Sequence, residues 1–369
     1  TFYTNFNGHI FTGQGDDNFH LNTHFTGNIS SGQGSDTFFF YDTGLVDLNK
    51  VDAGEDQDTI NLTNLTEGRD VILGNGHLFN IKNVERIVAD NSMAFSLRST
   101  DANASWHIFD FDDDGDVADG KNDGVVNGIK FVDFTTLYGS NYADVFTLDA
   151  DFVGKIYAGN GNNTFNINTT VKAELIGGAD NDTFVFSQGG QFDTASGGYG
   201  DGEGGFNTVD YSQWGSSHAL SVSGTTISGV NNVNRVVGSQ HHSMSLQVSS
   251  GTTTWEISDF DQTHTLADGI NDGVIKQNTW TLEFIDFDSL IGGSGNDTFE
   301  FKGTSRVRQI SGGAGTNTLI GSDIDSTYVI NATGSDVITR NGNRIADFTN
   351  IQTIQGGSGN DVFIVNRNI

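Results

Sequence analysis

Apolar and polar residues alternate along this chain in short runs, as in Phe184-Val-Phe186, Phe299-Glu-Phe301 and Phe363-Ile-Val365. A period of two is the pattern of a half-buried β-strand. Each run follows a glycine-rich turn, and each turn is preceded by a second patterned segment. Phe284-Ile-Asp-Phe287-Asp-Ser-Leu290, Ile345-Ala-Asp-Phe348-Thr-Asn-Ile351 and Phe131-Val-Asp-Phe134-Thr-Thr-Leu137 share that form. Strand, turn and strand therefore repeat as a unit, and the turns fall at about 13, 32 and 54, at 139, 159, 177 and 197, and at 292, 312, 334 and 356. Spacing of about 20 residues predicts an all-β chain, a parallel β-solenoid of the β-roll or β-helix kind with one coil per repeat.

The turns are close copies. Gly-Gly-Ser-Gly-Asn-Asp-Thr-Phe at 292–299 returns at 356–363 with Val for Thr, and at 177–184 as Gly-Gly-Ala-Asp-Asn-Asp-Thr-Phe. Looser copies end on Asp17, Asp36, Asp58, Asp144 and Asp336, and in three more turns Asn163, Asn207 and Asn317 take the Asp place. A longer period overlies the first: Trp106-His-Ile108-Phe-Asp110 and Trp255-Glu-Ile257-Ser-Asp259 are 149 residues apart, which reads as an internal duplication. The expected organisation is one continuous rod of five segments. Residues 1–79, 139–205 and 292–369 carry the Asp turns, and 80–138 and its duplicate 206–291 are coils that stack without metal. Because the repeat is interrupted at both ends of the chain, the ends are expected to stack on a continuation or on another subunit, end to end or laterally.

Composition sharpens this reading. The chain has 369 residues with 49 Gly, no Pro and no Cys, and proline is what a hydrogen-bonded ladder excludes. Without cysteine, disulfides and thiolate metal sites are ruled out. A formal net charge of −30, from 47 acidic and 17 basic residues, disfavours nucleic acid and anionic membranes as partners and favours cations. No apolar stretch is long enough to span a membrane.

Glycine turns bring carbonyl oxygens together and the Asp adds a carboxylate, a hard oxygen set that selects calcium over zinc or copper. A lone Gly-x-Gly-x-Asp is only a tight turn, but eight Asp copies at coil spacing point to calcium. These turns resemble the hemolysin-type (RTX) calcium-binding repeats of secreted bacterial proteins, whose pattern is Gly-Gly-x-Gly-x-Asp-x-apolar-x. The resemblance implies multiple Ca2+ ions held by Asp17, Asp36, Asp58, Asp144, Asp182, Asp297, Asp336 and Asp361, with Asn163, Asn207 and Asn317 in the same place. It implies turn ligation at Gly13, Gly15, Gly32, Gly34, Gly177, Gly292, Gly295, Gly312, Gly315, Gly356 and Gly359, in a single file along one edge. Long repeat regions of large bacterial exoproteins and adhesins are also similar, which implies an extracellular or cell-surface location.

The acidic loops 110–124 and 259–273 imitate the start of an EF-hand, but Lys121 stands where a bidentate Glu belongs, so that reading is rejected. Their shared Asp-Gly-x-Asn-Asp-Gly fits a further calcium or a solvated loop equally. His241 and His242 read as exposed, and Trp106, Trp214, Trp255 and Trp280 as core. No nucleophile triad, phosphate loop or zincin motif is present. The expected function is a structural or adhesive calcium-dependent rod with no enzymatic activity, in a stalk, surface layer or filament, with a surface glycan or host molecule as a further partner. The alternative is a secreted polysaccharide-active enzyme or its calcium-dependent folding module.

Overall fold

A computed structural model describes residues 6–22, 25–42, 51–74, 77–78, 81–110, 122–198, 205–258 and 271–366. Among them there is no helix; the chain is all-β with long ladders of parallel strands. It divides into two compact units, Thr1–Phe184 with Gly189–Gly205, and Val185–Gln188 with Phe206–Ile369.

In the first unit the repeat becomes register. Phe6–Gln14 pairs in parallel with Phe25–Gln33, setting Ile10 beside Ile29, and Ile29 in turn lies beside Val51. Beyond the turn, Asn18–Leu21, Thr37–Phe40, Thr59–Asn61 and Arg86–Val88 form a second ladder that aligns Phe19, Phe38, Ile60 and Ile87. Further along, Leu137, Ile156, Leu175 and Ala195 align in one ladder, and Trp106, Phe146 and Phe165 in the other. The second unit repeats the plan, with Leu220, Leu246, Leu290, Ile310 and Phe348 in one file and Trp255, Phe299, Leu319 and Ile354 in another.

These files are the core. Phe146, Phe165 and Phe184 are fully buried and stack ring on ring, with centroids 5.2 and 4.9 Å apart. Trp106 caps that column 5.5 Å from Phe146, and its duplicate Trp255 lies 5.4 Å from Phe299. A buried aromatic contributes about 1.5–3 kcal/mol by burial, and a stacked pair about 0.5–1.5 more. Trp214 and Trp280 differ from expectation: both are half-buried, and Trp280 donates its indole N–H to Gln277 Oε1 at 2.7 Å.

Among the described residues the parallel plan is broken five times. Ser105–Ile108, Gly124–Val126 and Ile129–Val132 form an antiparallel meander. Its last strand pairs back with Arg86–Val88, while its first pairs forward with Val145–Leu148. The chain thus advances past two ladder positions and returns to fill them. Thr254–Ile257, Gly273–Gln277 and Trp280–Ile285 do the same in the duplicate. Three more meanders lie in the other ladder, at Asp70–Gly74 to Ile81–Lys82, His218–Ser223 to Val230–Asn231, and Thr327–Ile330 to Asn343–Thr349. Each ends on an Asx residue in the left-handed region: Asn83, Asp133, Asn232, Asp286 or Asn350, with φ of 55 to 63°. Asn and Asp tolerate that region through local side-chain hydrogen bonds. A buried apolar or half-buried Ile comes directly after each of them and re-enters the parallel plan.

In the duplicated meanders a glycine faces a ring. A Cβ at Gly124 would lie 2.6 Å from Phe131 Cζ, and one at Gly273 the same distance from Phe284 Cζ. The segments expected to be metal-poor coils therefore combine parallel strands with meanders, two patterns that period-2 alternation does not distinguish.

Candidate metal centre

Stacked turns are joined through the recurring acid position. Asp17 donates its main-chain N–H to Asp36 Oδ1 at 2.7 Å, Asp36 donates to Asp58 Oδ1 at 2.8 Å, and Asp58 donates to Glu85 Oε2 at 2.8 Å. In the next run Asp144 donates to Asn163 Oδ1 at 2.9 Å and Asn163 to Asp182 Oδ1 at 3.0 Å. In the second unit Asn207 donates to Asn234 Oδ1 at 2.9 Å, Asp297 to Asn317 Oδ1 at 2.9 Å, and Asn317 to Gln352 Oε1 at 2.7 Å. One side-chain oxygen per turn therefore accepts the N–H of the turn beneath. Asp, Asn, Glu and Gln all supply it.

The second side-chain atom separates the turns into two kinds. In Asn163 it is Nδ2, which donates to the carbonyls of Gly161 and Gly177 at 3.0 and 3.3 Å. Asn207 Nδ2 donates to Asn232 O, and Asn317 Nδ2 to the carbonyls of Ala314 and Asn350. In an Asp turn the corresponding atom is Oδ2. A Cβ at Gly312 would meet Asn317 Nδ2 at 2.5 Å, and one at Gly292 would meet Asp297 Oδ2 at 2.4 Å, so the two atoms occupy one place. An oxygen there cannot donate to the carbonyls; Oδ2 of Asp144 and Asp297 instead accepts the N–H of Ser140 or Gly293, and where such a donor is missing a cation or a proton would take its place. Asn163, Asn207 and Asn317 thus turn an N–H rather than an oxygen toward the carbonyls and are satisfied by the chain itself.

Asp36 and Asp58 fit it best. Both are fully buried, and the Oδ2 of each has no hydrogen-bond partner among the described residues; Asp17 Oδ2 shares that state in a half-buried residue. Glycine makes room for the stacking: Gly32 and Gly54 have φ of 108 and 106°, and a Cβ on either would fall 2.0 Å from the carbonyl oxygen of Gly13 or Gly32 beneath. Burial pushes the Asp58 carboxyl up to about 7, with the charges of Asp36, Glu85 and Asp56 adding to the rise, and burial pushes Asp182 to about 7 as well. Burial also raises Asp144, whose carboxylate accepts N–H groups from Ala104 and Ser140. Asp297 is more fully bonded, accepting from Thr253 N–H at 2.9 Å, Thr253 Oγ1 at 2.6 Å and Gly293 N–H at 3.1 Å. Among the described residues no three acidic or histidine side chains converge as a metal-binding group, so a cation in these turns would rely on main-chain carbonyls beside one carboxylate.

The last turns leave the single file. Gly312–Asn317 leads from Gln309–Ser311 into Thr318–Ile320, whereas Gly356–Asp361 leads from the ladder of Thr318–Ile320 back into that of Gln309–Ser311. Asp361 accepts from Ser326 N–H at 3.0 Å on this opposite edge. Asp336 opens the second strand of a meander and accepts from Asn331 N–H at 2.9 Å. Beside Asp361 the chain supplies its own cation: buried Arg340 donates to the carbonyls of Gly303 and Ser305 at 3.1 Å and to Ser326 Oγ at 3.3 Å. Burial draws Arg340 below its usual range, and the charges of Tyr328 and Asp361 act against that fall.

Sequence reading missed Glu85, Asn234 and Gln352 as members of the acceptor series. The shared signal is a left-handed Asn, an apolar residue, then the acceptor: Asn83-Val-Glu85, Asn232-Val-Asn234 and Asn350-Ile-Gln352. The EF-like residues 111–121 and 259–270 lie outside the described residues. Only the ends of those loops, 122–124 and 271–273, are described, and there Asn122, Asp123 and Asp272 are buried. Asp123 Oδ1 and Asp272 Oδ1 accept the N–H groups of Asp133 and Asp286 at 3.2 and 2.9 Å, so these buried carboxylates brace the meanders. No protein-family model matches the chain and no curated protein matches its sequence, so the functional reading is built on the chemistry of these turns.

Proposed function

We propose that this chain is an extracellular, calcium-binding β-solenoid with a structural or adhesive role, folding fully only when calcium occupies its Asp turns. The observation that carries this reading is the pair Asp36 and Asp58, whose buried Oδ2 atoms lack a donor at the place where Asn163 Nδ2 donates to two carbonyls. Calcium suits such a site because it accepts many oxygen ligands in a flexible geometry, whereas magnesium demands a near-ideal octahedron. The net charge of −30 opposes the empty folded state, and a cation that binds only the folded chain stabilises it by mass action. Extracellular sites bind calcium at about 10⁻⁴ to 10⁻³ M, far above cytosolic levels, so the chain would fold on leaving the cell.

Circular dichroism during calcium titration of chelator-treated protein tests the proposal, with magnesium as control. The strand signal is expected to rise cooperatively with calcium and not with equal magnesium. A full strand signal that persists for days in chelator would overturn it.

A further inference from the structure

We infer that the second unit carries a binding cleft for a hydroxylated carboxylic acid, the chemistry of a sugar-acid unit. This inference is independent of the calcium reading. The cleft has a volume of about 330 Å³ and is lined by Asn271, Asp288, Arg306, Arg308, Arg344 and Asp347. In a chain with 17 basic and 47 acidic residues, three guanidinium groups facing two carboxylates is a local reversal of charge.

The backbone holds these groups on one face. Arg306 and Arg308 flank buried Val307, and Val307 donates its N–H to Ile345 O at 3.1 Å beside Arg344. Asn271 clamps the segment, donating its N–H to Arg306 O at 2.9 Å and accepting from Arg308 N–H at Oδ1 at 3.3 Å. Arg308 Nη1 donates to Ser243 Oγ at 3.0 Å, and Arg344 pairs with Asp347. Arg306 is exposed, and its guanidinium makes no hydrogen bond or ion pair among the described residues.

The duplication supplies an internal comparison. In the first unit Asn122 makes the same clamp, donating its N–H to Asp151 O at 3.4 Å and accepting from Val153 N–H at Oδ1 at 2.6 Å. Asp151 and Val153 thus stand where the second unit has Arg306 and Arg308. The scaffold does not require arginine, so the arginines answer to something outside it. A carboxylate suits the planar, forked donors of guanidinium. Asp288 and Asp347 add acceptors for hydroxyl groups on the same ligand. A simple inorganic anion would use only half of this lining.

The test uses the whole chain labelled with ¹⁵N-arginine, titrated with glucuronate, glucose and sulfate in parallel, in buffer with calcium and again in chelator. Saturable shifts of the Arg306, Arg308 and Arg344 Nε–H signals by glucuronate, with neither glucose nor sulfate matching them, are expected. Arg306→Asp with Arg308→Val copies the first unit's residues and should weaken glucuronate binding by about tenfold or more, since charge-assisted bidentate bonds are lost. Arg306→Gln alone should weaken it in the same direction and guards against misfolding of the double variant. Shifts with sulfate equal to those with glucuronate, shifts away from these arginines, or glucuronate binding that survives both substitutions would each overturn the inference.

Discussion

The main-chain N–H of Asp36 donates to Asp58 Oδ1 at 2.8 Å, while Asp58 Oδ2 lies buried without a hydrogen-bond partner among the described residues. One carboxylate therefore has two separable duties, bracing the turn beneath and requiring a positive partner. Asp58→Asn keeps the first duty and removes the second; Asp58→Ala removes both. In chelator the Asn variant should be at least as stable as the parent, and the Ala variant less stable by about 1–3 kcal/mol, because the Asp36 N–H loses its acceptor. In calcium both variants should gain less than the parent. Denaturant unfolding with and without calcium measures all four differences.

The pH dependence arises from the raised carboxyls. Asp58 and Asp182 bind a proton more tightly folded, at about 7, than at the unperturbed 3.8. Their stabilising contribution is full below the unfolded value and is lost as pH rises through about 7. In chelator the melting midpoint should fall between pH 5 and pH 8, and the double exchange of Asp58→Asn and Asp182→Asn should flatten that fall. Because calcium competes with the proton, its stabilising increment should grow over the same interval. Calorimetry at the two pH values, with unchanged slope in the double variant, would count against this assignment.

Arg340 should behave as a fixed cation. Arg340→Met strands the carbonyls of Gly303 and Ser305 and leaves Asp361 without its neighbouring charge, at a cost of about 3–5 kcal/mol. Asp361→Asn, by contrast, should leave the calcium midpoint of folding unchanged, although Asp361 closes one of the best motif copies. A shifted midpoint would mean that this turn takes calcium after all.

The core makes a metal-independent prediction. Phe165 is stacked between Phe146 and Phe184, and Phe165→Ala should cost about 3–5 kcal/mol in calcium-saturated protein. Gly273→Ala should cost about 1–3 kcal/mol, because the new methyl meets the Phe284 ring and the Glu256 carbonyl. Equilibrium unfolding of both variants checks the pair.

By itself the sequence determined the strand and turn periods, the apolar residues such as Phe184 and Phe299 that follow the turns, and the acid position of the glycine-rich turns. These are local properties: alternation decides which side chains are buried, and glycine at Gly32 or Gly54 permits a backbone that other residues resist. The tertiary structure decided the rest. Gly124 read as the end of an acidic loop and Phe131 as part of a strand leading into a turn, and only strand pairing revealed the antiparallel meander that joins them. Asp297 and Asp361 carry the same motif but lie on different edges, because the intervening strands Thr327–Ile330 to Asn343–Thr349 shift the phase of the stack. Nor could spacing tell Asn163 from Asp36: the strands after the two turns are alike, and the difference is whether the atom facing the stacked carbonyls carries a proton to donate.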